Sequence, residues 1–272
     1  MTRPEIHDLR GFLAVLREHH AINEIRREVD PVHELGRVLR ACEQAGKAAY
    51  FHRVKGHDIP VVGGALGTRN RIALALGCAE PEVADRVRQA RAHPIPPEEV
   101  AGDPVCREHV VTEGIDLATL PVPTHAPLDA APFINAGAVI ARDPETGRHN
   151  LSFNRLQLYG SDLVGVNMNA WRDMMEFFRK AEAADENLPF AVAVGLEPSL
   201  LMAAAFRYEG DEYEVAGALR GSPEAGSRRS SACRRRGRAR RGAWRSRPSR
   251  STSTRRSSSS STTTWTSTIR AT

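Results

Sequence analysis

The segment 149–155 carries the residue types in this chain that are best suited to chemistry. Its polar residues Asn150, Ser152 and Asn154 are spaced two apart, and alternate side chains of a β-strand share one face. Two amides and a hydroxyl in a row need polar partners or solvent. The pattern is therefore compatible with an exposed edge strand and equally with a polar binding site.

A pair of adjacent acids, Asp211 and Glu212, follows an apolar stretch of the chain. Carboxylates favour the first turn of a helix, and that alone would explain the pair. An Asn and a Glu together are also the oxygen ligands that Mg²⁺ and Mn²⁺ prefer. The chemistry that Asn150 and Glu212 could share is the binding of a hard divalent cation.

The elements that must position these residues begin with two helices. Apolar residues at helical spacing predict a helix over 8–20, with Asp8 as its N-cap. A second helix is predicted with Asp30 as cap, Pro31 at the first helical position and Gly46 at its end.

Strand and helix patterns continue to alternate after the second helix. Apolar runs of strand length at 48–54 and 59–66 are followed by two more helical patterns. This alternation predicts an α/β domain over about residues 1–115. The Pro-rich stretch 94–128 is typical of an extended connection.

The sequence after residue 132 predicts a hairpin followed by helices and a strand. Two strand-like runs flank a short loop that contains Gly147, which indicates a β-hairpin. An amphipathic helix is predicted over 170–187, a buried strand over 188–199, and a final helix that ends at Gly221.

The net charge of +5 averages two unlike parts of the chain. Residues 222–272 hold 14 Arg and one acid, a net charge of +13, whereas residues 1–221 hold 24 bases and 32 acids, a net charge of −8. An acidic body argues against a nucleic-acid-binding surface. No apolar run reaches the length of a membrane span, no signal peptide is visible, and the four cysteines are scattered. These features predict a cytoplasmic protein.

The basic tail 222–272 is rich in Ser, Thr and Arg, and it is predicted to be disordered. Two interpretations compete. Under GC-rich codon usage, reading one base earlier turns its Ser into Val and its Thr into Asp, so that 258–272 becomes a Val run followed by alternating Asp and Val. That favours an out-of-frame translation. The alternative is a non-catalytic scaffold whose Arg/Ser-rich tail binds RNA or another polyanion.

Several motifs, in order along residues 5–221, resemble the UbiD family of decarboxylases (3-octaprenyl-4-hydroxybenzoate carboxy-lyase-like). They include DLRGFLAVLREHHAINEIRREVDP, VKGHDIPVVGGALGTRNRIALALG, DLATLPVPTHAPLDAAPFINAG, HNLSFNRLQLYG and DEYEVAGALRG. The resemblance implies a carboxy-lyase for an aromatic or α,β-unsaturated acid, such as a 4-hydroxybenzoate-type precursor of ubiquinone. It also implies prenylated FMN, a divalent metal such as Mn²⁺, and K⁺ as cofactors.

The fold class that the resemblance implies is α/β (α+β). The N-terminal α/β domain would be followed by an incomplete flavin-binding split β-barrel over 116–221, and then by the disordered tail. The implied partners are a small-molecule carboxylic acid, a flavin prenyltransferase that supplies the cofactor, and further copies of the full-length chain in a homo-oligomer. No nucleic-acid partner is expected.

The family's site residues can be carried over to matching positions of this sequence. Asn150 and Glu212 match the metal ligands, and Arg155 matches the catalytic arginine that holds the substrate carboxylate. The positions that match flavin-binding residues are Ser152, Phe153, Asn154, Arg155, Asn167, Met168, Asn169, Arg172 and Phe206.

Two departures from the family pattern bear on activity. Many members have a His 16–18 residues after the Arg, where this chain has Trp171, and no His follows His149. The family's catalytic Glu/Asp pair, which would protonate the product, comes after the A-G-x-L-R-G motif, where this chain has only Glu224. The chain is therefore predicted to be a truncated, inactive form.

Overall fold

The N-terminal part of the chain alternates helices and strands, as the sequence predicts. The computed structural model describes residues 6–99, 108–222, 225–226 and 265–270. The first elements are α1 (Leu9–Glu18), β1 (Ile22–Val29), α2 (Glu34–Gln44), β2 (Ala48–Val54), β3 (Val61–Gly63), α3 (Arg69–Leu76), a 3-10 turn (Glu80–Glu82) and α4 (Val83–Ala92). Strand β2 is central, with β1 parallel to it on one side and β3 antiparallel on the other.

Helix α1 forms for the reasons that its sequence indicates. The Asp8 side chain accepts a hydrogen bond from the Gly11 N–H at 2.7 Å, which satisfies a backbone donor of the first turn. Phe12, Leu13 and Leu16 are buried on one face of the helix. The predicted cap and the predicted apolar face are both confirmed.

Helix α2 begins at Glu34, and the predicted start at Pro31 is wrong. The backbone around Pro31 pairs with another segment: its carbonyl accepts from the Thr124 N–H at 3.2 Å, and the His33 N–H donates to the Thr124 carbonyl at 2.8 Å. The Asp30 carboxylate accepts from the Val32 N–H at 2.8 Å, which stabilises a turn. These contacts delay the helix by one turn.

The second part of the chain contains short strands and three helices. Its elements are β4 (Glu98–Glu99), a 3-10 turn (Leu117–Thr119), β5 (Phe133–Ile134), β6 (Ala138–Arg142), β7 (His149–Phe153), β8 (Leu156–Leu158), β9 (Leu163–Met168), α5 (Asp173–Ala183), β10 (Phe190–Ala193), α6 (Pro198–Ala205), α7 (Glu212–Arg220), β11 (Ala225–Gly226) and β12 (Trp265–Arg270). One antiparallel sheet has the order β10-β6-β7, and a second has the order β12-β9-β8-β5.

The predicted hairpin is present, but the strand-like segment before its turn forms two strands, β5 and β6, which belong to different sheets. Strands β6 and β7 pair with Arg142 opposite His149, whereas β5 joins the other sheet. Between β5 and β6, a Cβ on Gly137 would lie 2.9 Å from the Val192 side chain. Only a glycine allows the backbone to pass this close to β10 as it changes sheets.

Helices α6 and α7 anchor the second part to the first. Their apolar residues Met202, Val215 and Leu219 share one buried cluster with Leu76 of α3 and Ala90 of α4. The cluster fixes α7 against the N-terminal part, and α6 and α7 both contact β7. Helix α7 ends at Arg220, with Gly221 in the left-handed conformation (φ 79°), so the predicted end is confirmed.

The predicted disordered tail falls largely outside the described residues. Within the described part of the tail, Trp265–Arg270 pairs antiparallel with β9. Backbone groups along the outer side of β9 are donors and acceptors that an added strand satisfies, whatever its side chains. Within the described residues, no helix has the length and hydropathy of a membrane span.

Candidate metal and flavin site

Glu212 and Asn150 lie together beneath the surface, although 62 residues separate them. Only 2% of Glu212 and 5% of Asn150 are exposed. One Glu212 carboxylate oxygen accepts from the Leu151 N–H at 3.0 Å, and the other lies 3.4 Å from the Asn150 amide nitrogen. The structure therefore brings the two predicted metal ligands into contact.

The three alternating polar residues of the 149–155 segment form a hydrogen-bonded ladder. The Ser152 hydroxyl donates to the Asn150 amide oxygen at 2.8 Å, and the Asn154 amide donates to the Ser152 oxygen at 3.1 Å. Asn150 and Asn154 are both buried. The alternative of a solvent-exposed polar face is therefore wrong, and the ladder places the Asn150 amide, hydrogen-bonded to Ser152, next to Glu212.

The donor set fits a hard divalent cation. Burial raises the pKa of Glu212 to about 7, and the nearby Asp211 and Asp173 carboxylates act in the same direction. A cation would restore the charged form of this carboxylate. Rotating the Asn150 amide by half a turn would place its oxygen beside Glu212, and Ser152 could then accept instead of donate.

The described residues contain no group of three or more His, Cys, Asp or Glu that could hold a metal ion. A single carboxylate with amide and hydroxyl oxygens suits Mn²⁺ or Mg²⁺ better than Zn²⁺, which prefers nitrogen and sulfur. Trp171, at the position where many family members have a His, is 69% exposed and its indole offers no ligand atom.

Arg155 lies just beyond β7, at the surface. Its side chain is exposed, and its guanidinium carbon is 5.1 Å from the centre of the Phe133 ring, a cation–π distance. Its carbonyl accepts from the Asn167 N–H at 3.0 Å, which links the Arg155 backbone to β9. Phe153, the residue at the end of β7, is partly exposed.

The other predicted flavin-binding residues divide between surface and core. Asn167, Asn169 and Arg172 are exposed around the end of β9 and the start of α5. Met168 is buried in a core cluster, and Phe206 is packed against the cluster that holds α7. The side chains of Met168 and Phe206 therefore pack within the protein, and the exposed three are the ones free to contact a ligand.

Sequence reasoning missed the polar residues that lie next to the two predicted ligands. The His149 Nδ1 is 3.0 Å from the Asp211 carboxylate. Arg148 donates to the Gly210 carbonyl at 3.2 Å and to Asp173 at 2.8 Å. His149 directly precedes the predicted ligand Asn150, and Arg148 lies two residues before it; that closeness along the chain was the available signal.

Comparisons with known proteins show the family to which the chain is similar. Residues 13–91 match the model of the 3-octaprenyl-4-hydroxybenzoate carboxy-lyase N-terminal domain, and residues 98–228 match that of the carboxy-lyase's Rift-related domain. Anhydromevalonate phosphate decarboxylase of Methanothermobacter thermautotrophicus is 33% identical over 210 residues, covering 76% of this chain and 48% of the relative.

Solved structures show the same likeness. The UbiD-class enzyme HmfF from Pelotomaculum thermopropionicum, in complex with FMN, is 38% identical with a TM-score of 0.75, covering 80% of this chain and 49% of that one. An evolved dimeric form of the same enzyme, in complex with prFMN, has a TM-score of 0.73 and covers 80% of this chain and 51% of that one. The 3,4-dihydroxybenzoic acid decarboxylase AroY of Klebsiella pneumoniae is 31% identical with a TM-score of 0.70, at coverages of 80% and 49%.

The chain thus spans about half the length of the relatives it matches. Both family models match in order along the chain, and the fold agrees with those of solved UbiD-class enzymes. This protein belongs to the UbiD family of decarboxylases.

Proposed function

We propose that this chain provides part of the flavin and metal site of a non-oxidative decarboxylase. The substrate class is an aromatic or α,β-unsaturated carboxylic acid, for example a 4-hydroxybenzoate-type precursor of ubiquinone, and the cofactors are prenylated FMN, Mn²⁺ and K⁺. The observation that carries the proposal is the buried contact between Glu212 and Asn150. A buried carboxylate is costly unless a partner compensates its charge.

The Mn²⁺ would be held by Glu212 and Asn150, with Ser152 and Asn154 orienting the Asn150 amide. In the metal-bound orientation the Asn150 oxygen would face the cation, and the Ser152 hydroxyl, 2.8 Å from the amide, would accept from the amide N–H, which favours one ligand geometry. Because Glu212 has a raised pKa, it would lose its proton as the cation binds.

The flavin phosphate would lie near the start of α5. Arg172 is the N-cap of α5 and makes no side-chain hydrogen bond to the first turn. The start of a helix is a favourable position for an anion. Asn169 and Arg172, both exposed, would add donors. When bound, prenylated FMN supplies the electron sink for the carbon that loses CO₂.

Arg155 would hold the substrate carboxylate. A guanidinium offers a planar pair of N–H groups that matches a carboxylate. The stacking of Arg155 on Phe133 at 5.1 Å orients the side chain while leaving it exposed. Removing this arginine would weaken substrate binding without disturbing Glu212.

The chain would bind its cofactors but lack turnover. Residues 222–272 contain a single acid, Glu224, and no Glu/Asp pair of the kind that would protonate the product, so residues 1–272 alone would bind the cofactors without turning over. A full-length cytoplasmic homo-oligomer, supplied with cofactor by a flavin prenyltransferase, would be the active form.

The test is cofactor binding by the purified chain and two matched variants. We expect retention of prenylated FMN through gel filtration, Mn²⁺ binding by electron paramagnetic resonance, and no CO₂ release from aromatic acids. Glu212→Gln should weaken Mn²⁺ binding by at least about tenfold. Glu214→Gln, on the same helix and less buried, should not. Equal Mn²⁺ affinity in the two variants would contradict the metal site, and CO₂ release at a normal rate would contradict the predicted inactivity.

A further inference from the structure

We infer that His149 is a positioning residue for the site: through Asp211 it holds the first turn of α7, and so keeps the Glu212 carboxylate beside Asn150. The inference rests on the proposed function, because the position of Glu212 matters to that function. It assigns a role to a histidine that is not among the predicted ligands.

The contact between His149 and Asp211 joins β7 to α7. One Asp211 oxygen lies 3.0 Å from the His149 Nδ1, and the other accepts from the Tyr213 N–H at 2.9 Å. A single carboxylate therefore caps the helix and binds the histidine. Any movement of His149 would be passed to the backbone next to Glu212.

The contact at the other nitrogen of the His149 ring, Nε2, determines which ring nitrogen carries the proton. The His149 Nε2 is 2.9 Å from an Arg142 Nη2 and 3.3 Å from its Nε. An arginine can only donate, so Nε2 accepts and the proton of the neutral ring is on Nδ1. The Nδ1–H then donates to Asp211. Arg142 and His149 face each other across the β6–β7 pair, so the sheet maintains this arrangement.

The ring is further restricted by its neighbours. The Tyr213 and His149 rings meet nearly at right angles, at a centroid distance of 5.8 Å and an interplanar angle of 78°. Both His149 and Asp211 are partly buried, so water competes only weakly for their hydrogen bond.

Successive residues of β7 thus hold the N-cap and the first residue of α7. His149 binds Asp211 at 3.0 Å, and Asn150 and the Leu151 N–H contact Glu212 at 3.4 and 3.0 Å. The contact between His149 and Asp211 fixes the start of α7. Because the helix starts there, the Glu212 carboxylate lies beside Asn150 and the Leu151 N–H. Without the first, the Glu212 side chain would sample other positions.

The segment before α7 has a second anchor, so loss of His149 should not unfold it. Arg148 donates to the Gly210 carbonyl at 3.2 Å, and the apolar residues of α7 remain in their core cluster. The effect of a substitution at His149 is therefore expected at Glu212 and not in the global fold.

The experiment compares His149→Leu with His149→Asn in the full chain. The Asn amide nitrogen occupies about the position of the histidine Nδ1 and can donate to Asp211. Two readouts are used: the Mn²⁺ dissociation constant by electron paramagnetic resonance, and hydrogen exchange of the Leu151 amide by NMR without metal. Glu145→Gln, at the tip of the same hairpin and exposed, is the control for general effects on the β6–β7 hairpin.

We expect His149→Leu to weaken Mn²⁺ binding about tenfold and to speed Leu151 exchange by a similar factor, with an unchanged melting temperature. His149→Asn should stay within about twofold of the unmodified chain in both readouts, as should Glu145→Gln. The inference is overturned if His149→Leu matches the unmodified chain, or if His149→Asn loses as much as His149→Leu. If the unmodified chain binds no Mn²⁺, the proposed function fails, and Leu151 exchange still decides the role of His149.

Discussion

Asp143 connects the β6–β7 hairpin to α5, and its replacement tests how the hairpin is held. It follows β6 directly, it is 4% exposed, and it accepts from Lys180 at 2.9 Å and from the Glu145 N–H at 3.0 Å. Burial alone would raise the pKa of Asp143, but the hydrogen bonds from Lys180 and from the Glu145 backbone lower it to about 2.

The size of the effect follows from this pKa. A fall from about 3.9 in the unfolded chain to about 2 in the folded one corresponds to about 2–3 kcal/mol of stability at neutral pH. Because the folded pKa is the lower one, the contribution is complete above about pH 4 and is lost as the pH falls through 2. About 1 kcal/mol should remain at pH 3.

The assay is urea unfolding, followed by circular dichroism, at pH 7, 4, 3 and 2. Asp143→Asn should lower the free energy of unfolding by about 2 kcal/mol at pH 7, and its difference from the unmodified chain should disappear towards pH 2. Comparing the two chains at each pH cancels the titration of the other carboxylates.

The control is Glu145→Gln. Glu145 contacts the same lysine at 3.1 Å, but its side chain is 68% exposed, so it should contribute less than about 1 kcal/mol. The reasoning is refuted if Asp143→Asn differs from the unmodified chain by the same amount at every pH, or if the two variants behave alike.

Two further predictions concern the N-terminal turn and the edge of the second sheet. A Cβ on Gly67 would lie 2.7 Å from the buried Arg71 guanidinium, so Gly67→Ala should lower the free energy of unfolding by about 1–3 kcal/mol in urea titrations. In Gly11→Ala the added Cβ would lie 3.4 Å from the Asp8 carboxylate oxygen, an ordinary contact, so this change should be neutral or stabilising. A larger loss of stability in Gly11→Ala than in Gly67→Ala would contradict this account. Deleting 265–272 removes the strand paired with Leu163–Met168. Hydrogen exchange should then accelerate at the amides of that strand which face the missing partner, and unchanged protection would show that the pairing does not persist in solution.

Local features of the sequence determined a large part of the fold. The start of α1 follows from Asp8 and its neighbours, because the cap and the apolar face are separated by only a few residues. The end of α7 follows from Gly221, which adopts a left-handed conformation that other residues rarely take. The polar alternation of 149–155 indicated a site for a similar reason, since strand geometry alone aligns the three side chains.

Only the tertiary structure decided the contacts between distant residues. The sequence pattern around Pro31 favoured a helix start, but the backbone of Thr124 takes those hydrogen bonds instead. The sequence did not determine whether the polar side chains of 149–155 are exposed or buried. That depends on α6 and α7, which pack against β7. Likewise, the pairing of His149 with Asp211 and of Asn150 with Glu212 joins residues 62 positions apart. Local propensity acts over a few residues, whereas these contacts depend on the core cluster that fixes α7 in place, and no short-range pattern records that packing.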